Sequence, residues 1–203
     1  CNGCENQCLV TCLTFVNGQT FFTGNRCERI FSNRGAQQRK GINHPARKYE
    51  LCFDRPTRPP GDPKLIIGIP RVLNIYENYP FWNALLIECG FEIRLSGKSE
   101  KALYEKGALS VMSENICFPA KLAHGHIIDL IEAGVDRIFY PMVFFEEREF
   151  SDALNTYNCP IVSGYPDVIR SAIDPQDRWH VPFDQPEFTY ADEKLLQKNC
   201  YSY

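Results

Sequence analysis

After Lys64 the chain alternates short apolar runs with longer segments that have helical periodicity. The apolar runs are bounded by glycine and proline, as buried strands often are, and several of the longer segments end at a glycine, as helices do. Strands that alternate with helices predict an α/β fold, a Rossmann-like parallel sheet with flanking helices. The predicted strands are KLIIGIP, FEIRLS, ALSVMS, DRIFYPMV and CPIVSG, and the predicted helices are YENYPFWNALLIECG, EKALYEKG, PAKLAHGHIIDLIEAG and YPDVIRSAI.

The first 27 residues have the pattern of a small cysteine-rich β-hairpin. Asn17–Gly18 is a strong two-residue turn signal, and β-branched and aromatic residues flank it. A two-residue turn there places Cys8 directly opposite Cys27, and residues paired in this way have β-carbons about 4.5–5.5 Å apart. A C-x2-C knuckle just upstream can fold back to supply two more thiolates. The predicted metal site consists of Cys1, Cys4, Cys8 and Cys27.

Residues 28–63 show little periodicity and are rich in proline, glycine, arginine and lysine. This composition predicts a basic linker with a short helix around Tyr49–Phe53. The predicted domains are therefore a metal-binding hairpin over 1–27, the linker over 28–63 and the α/β domain over 64–203.

The composition of the 203 residues is that of a globular protein, with a formal net charge of -3 at pH 7. That balance does not favour nucleic acid or an anionic membrane as a partner. No apolar run approaches the roughly 18 residues that span a bilayer. The cysteines cluster at the front of the chain, which favours a reduced, cytoplasmic protein with a metal site over a disulfide scaffold. Since the chain starts with cysteine, we expect it to be part of a longer protein.

The four clustered thiolates leave the identity of the metal open. They suit tetrahedral zinc or an iron–sulfur cluster such as 4Fe–4S, and ligand softness does not separate the two. A Cys8–Cys27 disulfide without a metal is the alternative for the same spacing.

One edge of the predicted sheet is expected to hold a ligand, because parallel α/β sheets bind ligands beyond the carboxyl ends of their strands. In the predicted topology that edge presents Ser96, the segment 113–117 and the segment after Pro141. The candidate ligand-binding residues at this edge are Arg71, Ser113, Lys121, His124 and Tyr165.

The stretch SENICFPAKLAHGH is chemically dense. A helix that begins shortly after Cys117 leaves its thiol at the helix N-terminus, where amide dipoles favour a thiolate. Cys117, Lys121 and His124 then share about a 60° arc of the helix, while His126 points the other way. These groups suit a nucleophile with its helpers, a cluster ligand with anion-binding neighbours, or a buried cysteine beside a satisfied histidine. Cys159 starts the last predicted strand, so we expect it on the face away from Cys117.

Three segments of the α/β region resemble a known family. They are IGIPRVLNIYENYPFWNALLIECGFEIRLSGKS, SENICFPAKLAHGHIIDLIEAGVDRIFYPMV and NCPIVSGYPDVI. They resemble a domain of the large CoA-substrate-specific enzyme activases, which are related to the activator of 2-hydroxyacyl-CoA dehydratases. The opening cysteines, with FFTGNRCERIF, resemble the cysteine segment that lies ahead of this domain in the same proteins. The likeness reaches to about Ile173 and is weaker beyond it.

The resemblance implies a role in electron transfer. Activators of this family hydrolyse ATP in an actin-like domain and pass one electron at low potential through a 4Fe–4S cluster. The glycine motifs of that ATPase are missing from this sequence, so the chain resembles the non-ATPase portion, with the ATPase domain of the same full-length protein as its expected partner. Dehydratase subunits hold iron–sulfur clusters by cysteine in α/β domains, and this likeness makes Cys117 and Cys159 candidate cluster ligands.

Two functions from different classes follow. The first is an iron–sulfur redox module in ATP-driven electron transfer to a CoA-thioester dehydratase-like enzyme. The second is a zinc-stabilised module that binds a partner or a ligand and has no redox role. In both cases the isolated chain is expected to catalyse nothing by itself.

Overall fold

The computed structural model describes residues 1–3, 5–27 and 42–203. The chain divides into two compact units, Cys1–Asn43 and His44–Tyr203. The predicted metal ligand Cys4 and the part of the predicted linker over 28–41 lie outside the described residues. Within the described ranges, no helix combines the length and the apolar character needed to cross a membrane.

The first unit contains an antiparallel pair of short strands, β1 (Thr11–Thr14) and β2 (Thr20–Thr23). In the loop between them, the Gly18 N–H donates to the Phe15 carbonyl at 2.9 Å, and the Phe15 N–H donates to the Gln19 carbonyl at 2.8 Å. Gly18 has a φ of 77°, which costs glycine little. The connection is therefore a three-residue loop that ends in a glycine with positive φ, a common hairpin type.

The register of this hairpin differs by one residue from the predicted one. Thr14 pairs with Thr20, whereas a two-residue turn predicts that Thr14 pairs with Phe21, so the predicted register of the strands is wrong. Cys8 and Cys27 lie outside the paired residues Thr11–Thr14 and Thr20–Thr23, and their direct opposition stays a prediction. The physical reason is the extra loop residue, because the loop length sets the register of a hairpin.

The second unit is built from alternating helices and strands, with a few departures from strict alternation. Its helices are α1 (His44–Phe53), α2 (Ile75–Glu88), α3 (Lys101–Gly107), α4 (Phe118–Glu132), α5 (Pro160–Ala172), α6 (Pro175–Trp179) and α7 (Glu193–Ser202). Its strands are β3 (Ile66–Ile69), β4 (Glu92–Leu95), β5 (Arg137–Phe139), β6 (Met142–Phe145), β7 (Phe183–Asp184) and β8 (Glu187–Thr189).

Four strands form a parallel sheet in the order β4-β3-β5-β7. The chain passes from β3 to β4 on one side and then crosses to β5 on the other side of β3. Ligands of such sheets bind outside the carboxyl ends of the strands, where the strand order reverses. The predicted α/β class, with a parallel sheet and flanking helices, is confirmed.

Helices cover both faces of this sheet. On one face α4 and α5 pack around Ile127, Leu130 and Ile138, whose side chains have 0% exposure. On the other face α2 places Tyr79 and Trp82 against the sheet, also with 0% exposure. A sheet buried on both faces needs apolar residues on both sides of each strand, which explains the short continuous apolar runs in the sequence.

Two predicted strands are wrong. The ALSVMS segment forms a 3₁₀ turn over Ala108–Ser110, and its Leu109 and Met112 side chains are exposed, so it offers no buried face. The CPIVSG segment forms the first turns of α5, with Cys159 as the N-cap residue and Pro160 in the first turn. Proline favours that position because its ring presets a helical φ and its missing N–H has no partner there.

The strand predicted from DRIFYPMV is divided at Pro141 into β5 and β6. Its pairing continues across the break, since the Tyr140 and Met142 N–H groups each donate at 2.9 Å to the carbonyls of Asp184 and Pro186. Proline has no N–H to donate, which interrupts the ladder. The strands β7 and β8, which the periodicity did not predict, pair with β5 and β6.

Part of the predicted linker belongs to the second unit. Phe53 at the end of α1 is buried, and its ring stacks on that of Tyr79 with the centroids 5.2 Å apart. Further along, the Ile93 N–H donates to the Thr57 carbonyl at 2.8 Å. The segment 44–63 is therefore packed on the α/β unit, and it contains a longer helix than the predicted one. The predicted domain boundaries themselves stay a prediction.

Candidate functional site

The loops and helix N-termini beyond the carboxyl ends of β3, β4 and β5 form one edge of the second unit, which we name the carboxyl edge. Both α4 and α5 run back toward the amino ends of the strands, so their N-termini lie at this edge. The carboxyl edge presents Arg71 after β3, Ser96 after β4, Cys117 before α4, Tyr140 after β5 and Cys159 before α5.

Cys117 and Cys159 begin their helices in the same way. Each is the N-cap residue, with φ and ψ of -60° and 144° for Cys117 and of -54° and 134° for Cys159, and a proline follows in the first turn. The Cys117 carbonyl accepts from the Ala120 N–H at 3.1 Å, and the Cys159 carbonyl accepts from the Val162 N–H at 2.8 Å. Both thiols are free and exposed. The positive end of a helix dipole beside each thiol favours negative charge there.

The starts of α4 and α5 lie level with each other. His124 Nε2 and Tyr165 Oη are 3.0 Å apart, which joins the two helices. His124 comes seven residues after Cys117, and Tyr165 comes six residues after Cys159. Because a helix rises about 1.5 Å per residue, the starts of both helices lie roughly 10 Å along their axes from this bond, at the same edge of the sheet. The prediction that Cys159 faces away from Cys117 is therefore wrong, because CPIVSG is helical.

His124 belongs to a chain of hydrogen bonds that assigns its tautomer. The Ser110 hydroxyl donates to the Gly107 carbonyl at 2.8 Å, so the Ser110 oxygen accepts from His124 Nδ1–H at 2.7 Å. Nε2 is then the unprotonated nitrogen, and it accepts the proton of the Tyr165 hydroxyl. The imidazole is therefore neutral, with both nitrogens satisfied.

Burial controls the ionisation of this chain. His124 is 0% exposed, and burial lowers its pKa to about 4. Burial raises the pKa of Tyr165 to about 12, with a smaller electrostatic contribution from the neighbouring Cys117. Both groups are neutral at pH 7, so these hydrogen-bonded side chains stabilise the contact between α4 and α5 without carrying charge.

His126 forms a second network on the same helix. Its Nδ1 lies 2.7 Å from Ser96 Oγ, and its Nε2 lies 2.9 Å from Ser99 Oγ. Ser96 Oγ also accepts from the Arg71 N–H at 2.9 Å. Burial is the main cause that lowers the pKa of His126 to about 4. This network ties the loops after β3 and β4 to α4.

Arg71 extends across two aromatic rings of α1. Its guanidinium carbon lies 5.5 Å from the centre of the Phe53 ring and 5.9 Å from that of Tyr49, and Nη1 donates to the Tyr49 hydroxyl. The ammonium of Lys98 lies 5.2 Å from the same Tyr49 ring. Aromatic faces attract such cations. Neither cation has a carboxylate partner among the described residues, so this part of the edge carries positive charge.

Lys121 and Ser113 serve the loop that precedes α4. Lys121 Nζ donates to the Glu114 carbonyl at 2.7 Å, and Ser113 Oγ accepts from the Asn115 N–H at 3.3 Å. Lys121 thus turns toward the loop, whereas His124 turns into the interior. The structure does not bring these two predicted residues onto one surface, and their binding roles stay predictions.

Cys8 and Cys27 lie on either side of a hairpin whose strands have little buried surface. The amino group of Cys1 donates to the Cys8 carbonyl at 2.8 Å, which brings the start of the chain beside Cys8. Cys8 and Cys27 are free thiols. Over residues 1–3, 5–27 and 42–203, no group of three or more His, Cys, Asp or Glu side chains is arranged to hold a metal ion. Since Cys4 lies outside this set, the four-thiolate site stays a prediction.

Sequence reasoning missed two buried polar side chains near the carboxyl edge. Tyr140 is fully buried, which raises the pKa of its hydroxyl, and the hydroxyl has no hydrogen-bond partner in the described part of the chain. Asn74 follows β3 and is only 6% exposed, and both atoms of its amide are likewise unpartnered there. The signal available in the sequence was a polar residue soon after a buried apolar run.

Comparison with known proteins identifies a family for the second unit. A family model described as the CoA enzyme activase uncharacterised domain matches residues 66–203. No curated protein and no solved structure matches the chain significantly. The family match covers more than half of the chain and includes every element from β3 to α7. The chain belongs to the family of the CoA enzyme activase uncharacterised domain.

Proposed function

We propose that this chain is the non-ATPase portion of an activase-like protein and acts as an iron–sulfur redox module in ATP-driven, low-potential electron transfer. The observation that carries the proposal is the placement of Cys117 and Cys159, two exposed thiols at the N-termini of the neighbouring helices α4 and α5. Membership of the activase-related family supports the context.

The donor set at the carboxyl edge fits an iron–sulfur cluster in part. Cysteine thiolates are the usual ligands of these clusters, and two positive helix ends favour a group with net negative charge. Two thiolates are half of the four that a 4Fe–4S cluster takes, so the other ligands come from outside this edge. Such a cluster, when bound, supplies one-electron transfer.

The residues around the two thiols have separate tasks in this proposal. Cys117 and Cys159 hold iron. The hydrogen bond between the neutral side chains of Tyr165 and His124 fixes the spacing of the two helices. The unpaired positive charges of Arg71 and Lys98 attract an acidic partner surface. The partners are the ATPase domain of the same full-length protein, which supplies the electron, and a CoA-thioester dehydratase-like enzyme, which receives it.

The opening cysteines form a second thiolate set in the same proposal. The hairpin leaves Leu13, Phe15 and Phe21 about half exposed, so its side chains give it little core. An isolated two-stranded hairpin is marginally stable, and small modules of this kind usually need a metal, a disulfide or a partner. The set consists of Cys1, Cys4, Cys8 and Cys27.

The test is metal analysis on protein purified without oxygen, with iron, sulfide and zinc measured on the same sample. We expect iron with sulfide, a visible absorbance band, and an electron paramagnetic resonance signal after reduction. Cys117→Ser and Cys159→Ser should each lower the iron content. Cys89→Ser is the matched control, because Cys89 is an exposed thiol at the far end of α2, away from the carboxyl edge.

The same measurements separate the parts of the proposal. Full iron content in the Cys117→Ser and Cys159→Ser variants, with loss on serine substitution of the opening cysteines, contradicts the carboxyl-edge ligands and moves the cluster to the hairpin. Colourless protein with one zinc per chain contradicts the redox function itself.

A further inference from the structure

An acidic cavity of about 690 Å³ lies beside the start of α2, the segment after β6 and the start of α7. Its wall also has an apolar part, formed by Pro80, Phe81 and Leu196. The described residues that line the cavity include no lysine or arginine. Its carboxylates are Glu77, Glu146, Glu147, Glu149 and Glu193.

Most of this negative charge is not neutralised within the described chain. Glu77 pairs with Lys48, with Lys48 Nζ and Glu77 Oε1 2.5 Å apart. Glu146 accepts from the amides of Asn158 and Asn78 at 2.7 and 3.2 Å, which are neutral donors. The other three carboxylates have no ion-pair partner among the described residues. The cavity therefore favours a cation.

Asn74 gives a second, independent sign of a ligand. It lines the same cavity, it is 6% exposed, and neither Oδ1 nor Nδ2 has a hydrogen-bond partner in the described part of the chain. The buried hydroxyl of Tyr190 on the cavity wall is also unpartnered there. Buried polar atoms without a partner destabilise the folded chain, so a ligand that satisfies an amide acceptor and an amide donor at once is favoured.

The start of α2 offers little to an anion. The N–H groups of its first four residues, 75–78, all donate to the carbonyls of residues 72–74 at 3.0–3.2 Å. No free donors remain among these amides to bind a phosphate or carboxylate group. A metal ion is disfavoured too, because no three His, Cys, Asp or Glu side chains converge on one point within the described ranges.

We propose that the acidic cavity binds a small aliphatic cation that carries a primary ammonium group and, a few methylenes away, an amide group. The ammonium lies among the carboxylates, where hydrogen bonds to charged groups are strongest. The amide pairs reciprocally with the Asn74 side chain, accepting from Nδ2 and donating to Oδ1. The methylenes lie along Phe81 and Leu196.

The experiment is isothermal titration of the 203-residue chain with three probes of similar length. N-Acetylputrescine has both groups, putrescine has two ammonium groups and no amide, and N-butylacetamide has the amide and no charge. We expect N-acetylputrescine to bind one per chain and more tightly than either of the others. Its affinity should fall as salt rises, because exposed carboxylates are screened.

Variants test the two halves of the site. Asn74→Leu should weaken the binding of N-acetylputrescine roughly tenfold, because the two hydrogen bonds to its amide are lost. The binding of putrescine, which has no amide, should stay unchanged. The double change Glu147→Gln with Glu149→Gln should weaken both cations and flatten the salt dependence. Glu88→Gln is the matched control, because Glu88 lies at the other end of α2 and lines a different cavity.

Several outcomes would overturn the proposal. Equal binding of putrescine and N-acetylputrescine, unaffected by Asn74→Leu, would mean general counterion attraction. Equal binding of Mg²⁺ at the same stoichiometry would mean that the carboxylates do not select an organic cation.

Asn74→Leu should not lower the free energy of unfolding of the free chain, since it removes an unsatisfied buried amide. A large fall in that free energy, with binding intact, would make Asn74 a structural residue.

Discussion

At the scale of single residues, the most informative groups are two histidines buried on the same helix. His124 and His126 are both 0% exposed and hydrogen-bonded at both ring nitrogens. Burial makes the charged imidazole unfavourable and lowers both pKa values to about 4. The neighbouring thiol of Cys117 is exposed by contrast, so one helix presents a reactive group outside and neutral supports inside.

The pH dependence of stability follows from these two groups. An unfolded histidine has a pKa of about 6.5, so as the pH falls the unfolded chain takes up protons before the folded chain does. We expect the free energy of unfolding to be level above pH 7. Between about pH 6.5 and 4 it should fall by up to roughly 3 kcal/mol for each histidine.

Urea unfolding at pH 7.5, 6 and 5 measures this slope. His124→Gln should lower the stability at pH 7.5 and make the slope shallower. The control variant for the same series is His180→Gln, a change at an exposed histidine. An identical slope in His124→Gln would argue against the buried neutral imidazole as its source.

Tyr165→Phe tests the hydrogen bond between α4 and α5. The change removes the hydroxyl that donates to His124 Nε2 and leaves a buried acceptor without its partner. We expect the free energy of unfolding to fall by about 1–2 kcal/mol at pH 7.5. Tyr157→Phe, at an exposed tyrosine, should change it by less than about 0.5 kcal/mol.

At the scale of elements, the close packing of α3 on α4 depends on two glycines. A Cβ at Gly125 would lie 2.0 Å from the Leu103 carbonyl oxygen, and a Cβ at Gly107 would lie 2.2 Å from the Gly125 nitrogen. Only glycine leaves room for the two backbones at this distance. The close approach also positions Ser110, immediately after α3, to accept the hydrogen bond from His124.

Gly125→Ala should separate the two helices. The clash is with backbone atoms, which cannot move aside as a flexible side chain can, so we expect a loss of about 1–3 kcal/mol in the free energy of unfolding. Gly164 is the matched control in α5, because a Cβ there meets no atom within 4 Å. Gly164→Ala should raise the stability by up to about 1 kcal/mol through helix propensity. Equal effects of the two changes would refute the close-contact explanation.

At the scale of the whole molecule, the chain consists of two compact units that differ in how they are stabilised. The second unit buries an aromatic and aliphatic core on each face of its sheet. The hairpin of the first unit leaves most of its side chains exposed. The buried core of the second unit stabilises its fold through the hydrophobic effect alone. A short two-stranded hairpin usually needs further strands, a helix or another stabilising contact.

Truncation tests where the second unit begins. A chain of residues 44–203 should retain the unfolding free energy of the α/β unit. A chain of residues 64–203 should lose about 3 kcal/mol or more, because it lacks Phe53, which is buried against Tyr79. Urea unfolding followed by tryptophan fluorescence measures both. Equal stability of the two truncated chains would place the start of the unit at Lys64, as the composition predicts.

The central architecture was predictable from the sequence because it depends on local patterns. The strands β3 and β4 and the helices α2 and α4 follow from apolar periodicity, terminal glycines and first-turn proline. The N-terminal position of Cys117 was predictable for the same reason, since a helix start is set within one turn. Family motifs in these elements then pointed to the activase-related domain.

Only the tertiary structure decided the features that depend on distant residues. Periodicity does not separate a short apolar strand from the start of a buried helix. The structure, with α5 packed on α4, therefore places Cys159 at the same edge as Cys117, which the sequence did not predict. The hairpin register depended on one loop residue. The acidic cavity gathers side chains from α2, the segment after β6 and α7, together with Asn74 just before α2. The sequence alone determined the central strands β3 and β4 and the helices α2 and α4, because their patterns are local. The strands β7 and β8, the helical start of α5 and the meeting of distant side chains depend on packing between distant segments, which arises only in the folded chain.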